Sequence, residues 1–340
     1  MPQRDVVVIG ASIGGVSALR LLASQFPADF PGIVCVVLHI GTHESALPEL
    51  LSAAGPLPAV HAANGMPALP GRIHVAPPGH HLLLDGDRLM LSRGPKEHHT
   101  RPAIDPLFRS AALSAGPRVI GVVLTGRLDD GSAGLQAIKA CGGLAVVQDP
   151  ADAEEPGMPR SALAAVAADH CVPLAAVAPL LAELVRQPAP PPPSAPPPWL
   201  VHEQLASSGS GNAMDELPYF ARPSTLACPD CRGTLWEVTG SQPPRFRCHT
   251  GHAFSLRSLA AAQAAATEEA LWSGVRALQE KELLLRRIAA LDRSAGDETH
   301  ARDTELQADR LHRQAALLRS LTEAQAAGDD GEERDDATAL

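Results

Sequence analysis

The chain has 340 residues, long enough for two or three domains. Hydrophobic residues make up 45% of it but aromatic ones only 3%, so any core is aliphatic and alanine-rich. The formal charge of −10 argues against general nucleic-acid binding, which needs a basic face, and no apolar stretch approaches the roughly 20 residues of a membrane span. The opening residues Met1-Pro2-Gln3-Arg4-Asp5 enter a strand at once without signal-peptide architecture, so a cytoplasmic location without membrane insertion is expected.

Taken in chain order, Val6 to Ile9 runs into Gly10-Ala11-Ser12-Ile13-Gly14-Gly15, and Val16, Leu19, Leu22, Ala23 and Phe26 then follow helical spacing. Ile33 to Leu38 is a second run, ending at His39, and Arg72 to Ala76 a third short strand. Leu82 to Leu84, a turn at Asp85-Gly86, and Leu89 to Leu91 read as a hairpin. Val119 to Leu124 runs into Thr125-Gly126-Arg127-Leu128-Asp129-Asp130-Gly131. Ser132 to Cys141 then reads as a helix closed by Gly142, Leu144 to Gln148 as a strand, and Pro159 to Ala168 as a helix. Short β-branched runs alternating with helices predict a doubly wound, mostly parallel α/β sheet with flanking helices.

Three of these strands end in Ser12, His39 and the Asp129-Asp130 pair, and ligands of open α/β sheets bind outside the carboxyl ends of strands. A serine hydroxyl needs a base to take its proton, a neutral imidazole suits that task, and a carboxylate fixes the imidazole tautomer. Ser12 is therefore the candidate nucleophile, His39 the base and Asp130 the orienting acid. A dinucleotide site is the competing reading of the first glycine turn. Its Gly-x-x-x-Gly-Gly spacing is not Gly-x-Gly-x-x-Gly, and the second strand ends in His39 rather than an acidic residue.

These segments carry a resemblance. Gly10 to Gly15, Val37-Leu38-His39-Ile40 and Leu124 to Gly131 resemble the signature segments of the CheB-type protein-glutamate methylesterase catalytic domain. Pro70 to Pro78, Arg101 to Phe108 and Gly157 to Ala162 match in family order, so that the likeness covers about residues 5–185. It implies hydrolysis of glutamyl methyl esters on bacterial chemoreceptors, deamidation of receptor glutamines, and no cofactor for catalysis. The implied partners are methylated cytoplasmic receptor helices and a receptor methyltransferase. By motif, the nucleophile falls on Ser12, the histidine on His39 and the aspartate on Asp130, with Asp129 ranked second. Backbone oxyanion donors fall on His39 and Arg127. Arg127 stands where the family usually has methionine, and Ser12 lies so near the start that no receiver domain is expected before it. Arg127 is also the best support for the alternative of a non-catalytic scaffold that binds a receptor or methyltransferase.

Downstream, Gln187 to Pro198 holds eight prolines in twelve residues, which makes a stiff extended linker, and Ala206 to Gly211 is a flexible continuation. Cys228-Pro229-Asp230-Cys231 and, further on, Cys248 with His249 and His252 have the spacing of a Cys₃His zinc site. His252 is the better fourth ligand because it stands clear of Cys248 in the chain. Trp236, Val238, Phe246 and Phe254 would form the module's small core. Leu271, Val275, Leu278, Leu285 and Ile288 make one apolar stripe, read as a helical hairpin burying it on itself, with a partner-binding coiled coil as the alternative. The expected organisation is 1–186 catalytic, 187–222 linker, 223–257 zinc module, 258–328 helical and 329–340 acidic disordered tail. The linker suggests that the zinc module and helices are separable from hydrolysis and serve docking or regulation. The pairs His80-His81 and His98-His99 read as solvated loop residues, and Arg101 as a loop hydrogen bonder.

Overall fold

The computed structural model describes residues 2–40, 44–208 and 212–335. Strands β1 (Val6–Ala11), β2 (Ile33–Leu38) and β3 (Ala59–His61) alternate with helices α1 (Gly15–Gln25) and α2 (Leu47–Ala54). β4 (Met66–Pro67), β5 (Arg72–Val75), β6 (His81–Asp85) and β7 (Arg88–Ser92) follow, then α3 (Ile104–Ala115). β8 (Val119–Val123), α4 (Ser132–Ala140), β9 (Leu144–Gln148), α5 (Gly157–Ala165), β10 (His170–Val172) and α6 (Leu174–Leu184) complete the alternation.

Seven strands form one sheet in the order β10-β9-β8-β1-β2-β5-β3, every neighbouring pair parallel. The chain winds outward from β1 in both directions, so the order reverses beside β1, where such sheets place their ligands. β1 and β8 are buried along their whole length, and β2 at all but one position, because helices cover both faces. One core, with Leu19, Leu22, Phe30, Val177 and Leu181, lies on one face; the other is built around Ile104, Leu107, Phe108, Leu135 and Ile138.

The expected hairpin is present as β6 and β7, paired antiparallel with β4 in a separate small sheet. Its two-residue loop is Gly86-Asp87, one position later than the sequence suggested, because Gly86 supplies the left-handed backbone the turn needs. α4 ends as expected, with Gly142 in the left-handed region just beyond it.

The stretch expected to be linker is only partly so. The residues at 190–196 are exposed and without regular structure, but Pro198–Ser208 is a helix, α7, that packs on α3 and buries Leu200, Glu203 and Ala206. Leu200 joins the core of the parallel sheet's α3 face. Residues 209–211 of the Ser/Gly stretch lie outside the described residues. A short helix α8 (Ala213–Glu216) leads into a four-stranded antiparallel sheet of β11 (Ala221–Ala227), β12 (Thr234–Val238), β13 (Arg245–Cys248) and β14 (Ala253–Ser255). Val238, Phe246 and Phe254 are buried there, and Trp236 is half-buried.

Met1–Leu259 is one compact unit and Ala260–Leu340 another. The first therefore includes the cysteine-rich sheet. The second is a hairpin of α9 (Leu256–Ser294) and α10 (Glu298–Asp335) that turns at Gly296. Its buried positions are mainly small: Val275, Ala289, Ala301, Ala308 and Ala315. Of the predicted stripe Val275 is buried, Leu271, Leu278 and Leu285 are half-buried and Ile288 is exposed, because alanines at the seam let the two backbones approach closely. No described helix is long and apolar enough to cross a membrane. Of the acidic tail expected to be disordered, residues 329–335 continue α10, and residues 336–340 lie outside the described residues.

Candidate active site

Three adjacent strands, β8, β1 and β2, deliver the polar residues. Ser12 follows β1 directly, in a turn whose N–H donates to Thr125 O (3.0 Å), while Thr125 Oγ1 donates to Ile13 O (3.0 Å). Glycine is required opposite it: a Cβ on Gly126 would lie 2.7 Å from Ser12 Cβ and 2.2 Å from Met158 Sδ. His39 follows β2, and its ring bridges the other two groups. Nδ1 stands 3.1 Å from Ser12 Oγ and Nε2 2.7 Å from Asp130 Oδ2. The proton on Nε2 is thus directed at the carboxylate, which leaves Nδ1 to accept from the serine. The two ring nitrogens are used in the opposite sense from chymotrypsin, where Nε2 faces the serine.

Asp130 is 2% exposed. Its Oδ2 accepts from Ile104 N–H (2.7 Å), and its Oδ1 from Asp105 N–H (3.0 Å) and Gly131 N–H (2.9 Å). Ile104 and Asp105 open α3, so the carboxylate occupies that helix's positive end. Burial pushes the Asp130 carboxyl up, but the His98 charge, then His39, then the Ile104 N–H outweigh it and hold it down to about 2. Asp129 faces elsewhere and accepts from Ser255 Oγ (2.7 Å).

One expected donor is corrected. The N–H of His39, assigned to an oxyanion, donates to Ala11 O (3.1 Å) and so extends the β1–β2 ladder. Arg127 is half-exposed and its Nε lies 3.3 Å from Glu155 Oε2; its loop is laced to the residues before α5 by Gly126 N–H to Glu155 O (2.9 Å) and to α5 itself by Met158 N–H to Gly126 O (2.6 Å). Arg101 donates to the carbonyls of Arg93 (2.8 Å) and Gly94 (2.7 Å).

The histidine pairs are less solvated than their sequence suggested. His81 is buried in β6 and bonds Pro95 O (2.9 Å). His98 has only 7% of its side chain exposed and lies against Asp105, Asp129 and Asp130. No local pattern pointed to it, since Asp129 and Asp130 come from a different loop.

The second cluster is at the far end of the antiparallel sheet. Cys228 and Cys231 lie in the β11–β12 turn, Cys248 ends β13 and His252 precedes β14. One ligand atom from each of the four lies within 4.8 Å of the others, which selects His252 over His249. Cys231 Sγ and Cys248 Sγ are 3.6 Å apart, and Cys248 Sγ is 3.5 Å from His252 Nδ1. Two thiolates on a tetrahedral zinc, each about 2.3 Å from it, would stand about 3.8 Å apart. The donor set and its spacing fit a metal ion. Cys35, in contrast, is fully buried in β2, and burial pushes its thiol up to about 12.

A parallel, doubly wound sheet carrying Ser-His-Asp at the carboxyl rim of its central strands defines the class: an α/β protein with a serine-hydrolase type of centre. Residues 7–181 match the CheB methylesterase family, and the chain belongs to it. Among relatives, it is 40% identical over 185 residues to protein-glutamate methylesterase/protein-glutamine glutaminase 5 of Anaeromyxobacter dehalogenans, covering 53% of this chain and 51% of that one. A Leptospira interrogans relative is 37% identical over 182 residues, covering 53% of this chain and 94% of its own. The crystal structure of the Thermotoga maritima CheB methylesterase catalytic domain, 30% identical, superposes with a TM-score of 0.52 over 54% of this chain and 100% of that one. The chain spans about half the length of the Anaeromyxobacter relative and of a second one from the same organism, protein-glutamate methylesterase/protein-glutamine glutaminase 2.

Proposed function

We propose that the chain is a serine carboxyl-ester hydrolase that removes methyl groups from glutamate methyl esters on the cytoplasmic helices of chemoreceptors, and that it also deamidates receptor glutamines. The hydrogen-bonded series Ser12–His39–Asp130 carries this reading. Ser12 Oγ attacks the ester carbonyl as His39 Nδ1 takes its proton, and the imidazolium is stabilised by Asp130. The same proton goes to the departing methoxide, releasing methanol and leaving a glutamyl ester on Ser12. A water activated by His39 then hydrolyses that ester.

The developing oxyanion is stabilised by the N-terminal end of α1, which begins three residues after Ser12, and by the backbone N–H of Arg127. The protein works in the cytoplasm, where receptor helices and a receptor methyltransferase are its partners. Cys228, Cys231, Cys248 and His252 hold a structural zinc whose ligation closes the two turns of the antiparallel sheet. A scaffold without catalysis is the weaker reading, because all three reacting groups are present and in hydrogen-bond reach.

The test is methanol release from a methylated receptor fragment. Wild type releases it, and Ser12→Ala slows release by at least about 10³-fold. Equal rates for the two proteins would overturn the assignment.

A further inference from the structure

Behind the triad acid, on the side away from His39, lies a second imidazole that the hydrolytic scheme does not use. His98 sits just before the Arg101-Pro102 segment with a left-handed backbone (φ 51°). Its Nε2 is 3.0 Å from Asp105 Oδ2 and 3.7 Å from Asp130 Oδ1, and its Nδ1 is 3.2 Å from Ser258 Oγ and 3.8 Å from Asp129 Oδ1. Asp105 is itself tied to the loop that carries Asp130, accepting from Gly131 N–H (3.0 Å) and Gly134 N–H (2.6 Å).

We propose that His98 is a positioning residue of the hydrolytic centre: it clamps Asp105 and Asp130 together from behind, and is itself held in place by the cysteine-rich sheet and the first turn of α9. The inference rests on the hydrolase reading and names what fixes that site's acid.

Three observations converge on it. The His98 N–H donates to Ala253 O of β14 (2.9 Å), so the antiparallel sheet sets its backbone. Ser258 Oγ receives the Ser255 N–H (2.8 Å), and Ser255 Oγ holds Asp129, so the same turn secures both the imidazole and one of its carboxylates. Next to His98, Glu97 is locked to Arg109 of α3 and Arg247 of β13, all buried. The charged groups around the ring are then Asp105 from α3, Asp129 and Asp130 from the loop before α4, with Glu97, Glu203 of α7 and Arg245 of β13 lining the same small cavity.

Asp129 and Asp130, together with Asp105, whose own carboxyl burial pushes up against the pull of the His98 contact, favour the imidazolium form of His98. Burial pushes its pKa down, but Asp130, then Asp105, then Asp129 outweigh that and raise it to about 10. A positive charge there keeps Asp130 ionised and leaves its Oδ2 for His39. Removing the charge stabilises the protonated form of the Asp130–His39 pair, so the acidic limb of the rate moves to higher pH.

The experiment uses the full chain. Histidine imidazole resonances of wild type are followed by ¹⁵N NMR from pH 5 to 9 and assigned by through-bond correlation to the backbone, with His98→Asn, a residue that tolerates the left-handed backbone, as a check. Hydrolysis of a p-nitrophenyl ester is measured for wild type, His98→Asn, Ser258→Ala and Ser12→Ala over the same range. The expected result is a His98 ring still doubly protonated at pH 8. Folded His98→Asn should show kcat reduced about 10- to 100-fold with KM unchanged, and an acidic limb about one pH unit higher, with Ser258→Ala shifted less in the same direction. A ring that deprotonates below pH 7 overturns the proposal even if His98→Asn does not fold. So does a folded His98→Asn with the wild-type kcat and limb while Ser12→Ala is silent. If wild type and Ser12→Ala turn over the ester alike, the hydrolase reading falls, and this proposal with it.

Discussion

Asp130 does more than orient an imidazole. It sits at the N-terminal end of α3, receives three backbone N–H groups and faces two histidines, so its charge is built into the fold. Asp130→Asn should lower ester hydrolysis by about 10⁴-fold, read as kcat at pH 7, because the amide imposes the wrong tautomer on His39. The sign of the pH dependence follows from the same contacts. Asp130 is held from 3.8 down to about 2, so its share of stability is present above about pH 4 and is lost as pH falls toward 2. His98 is raised from 6.5 to about 10, so its share is full below about pH 6.5 and is lost as pH rises toward 10. Thermal melts across pH 6.5 to 10 should show Tm falling in wild type, with that slope flattened in His98→Asn. Ser12, His39 and Asp130 were legible because each follows a hydrophobic strand, and adjacent strands share a rim. His98 was not: a histidine in a polar loop looks solvated until the fold brings three distant carboxylates around it.

At the level of elements, β-branched runs marked the central strands well, and the Cys-x-x-Cys spacing marked the β11–β12 turn. Helix α7 escaped, since it begins at the end of the proline run, where composition reads as linker, and its apolar face is short. What it contributes is visible in Leu200, fully buried in the α3-side core. Leu200→Ala should cost about 2–5 kcal/mol, measured as a shift in the urea midpoint at constant slope. The junction between α3 and β13 is ionic instead. Arg247→Ala leaves Glu97 and Glu203 with fewer counter-charges in a buried site, and should cost about 3–5 kcal/mol by the same measurement. A midpoint within experimental error of wild type would show that Arg109 and Arg245 satisfy these carboxylates alone.

For the whole molecule, the segment matched by the family ends at residue 181, whereas the compact unit continues to Leu259. Sequence composition favoured a catalytic part with a detachable appendage, and no local signal reveals that Glu97, Arg109, Glu203 and Arg247 meet. A chain ending at residue 198 loses Leu200 and Arg247 together, and its Tm should fall by at least about 6 °C if it folds at all. Stripping the Cys228–His252 cluster with a strong chelator should release one zinc per chain to a colorimetric dye and lower the same transition. A chelated protein with an unchanged melt would show that hydrogen bonds alone hold the antiparallel sheet.

The β14 carbonyl that receives the His98 N–H divides ownership of the reaction centre. The nucleophile is anchored by the first strands of the parallel sheet, while the acid's rear support comes from a stretch of chain more than a hundred residues downstream. Mechanical load or distortion arriving through the C-terminal side would reach the carboxylate before the serine, so whatever grips that side has a handle on the speed of proton transfer.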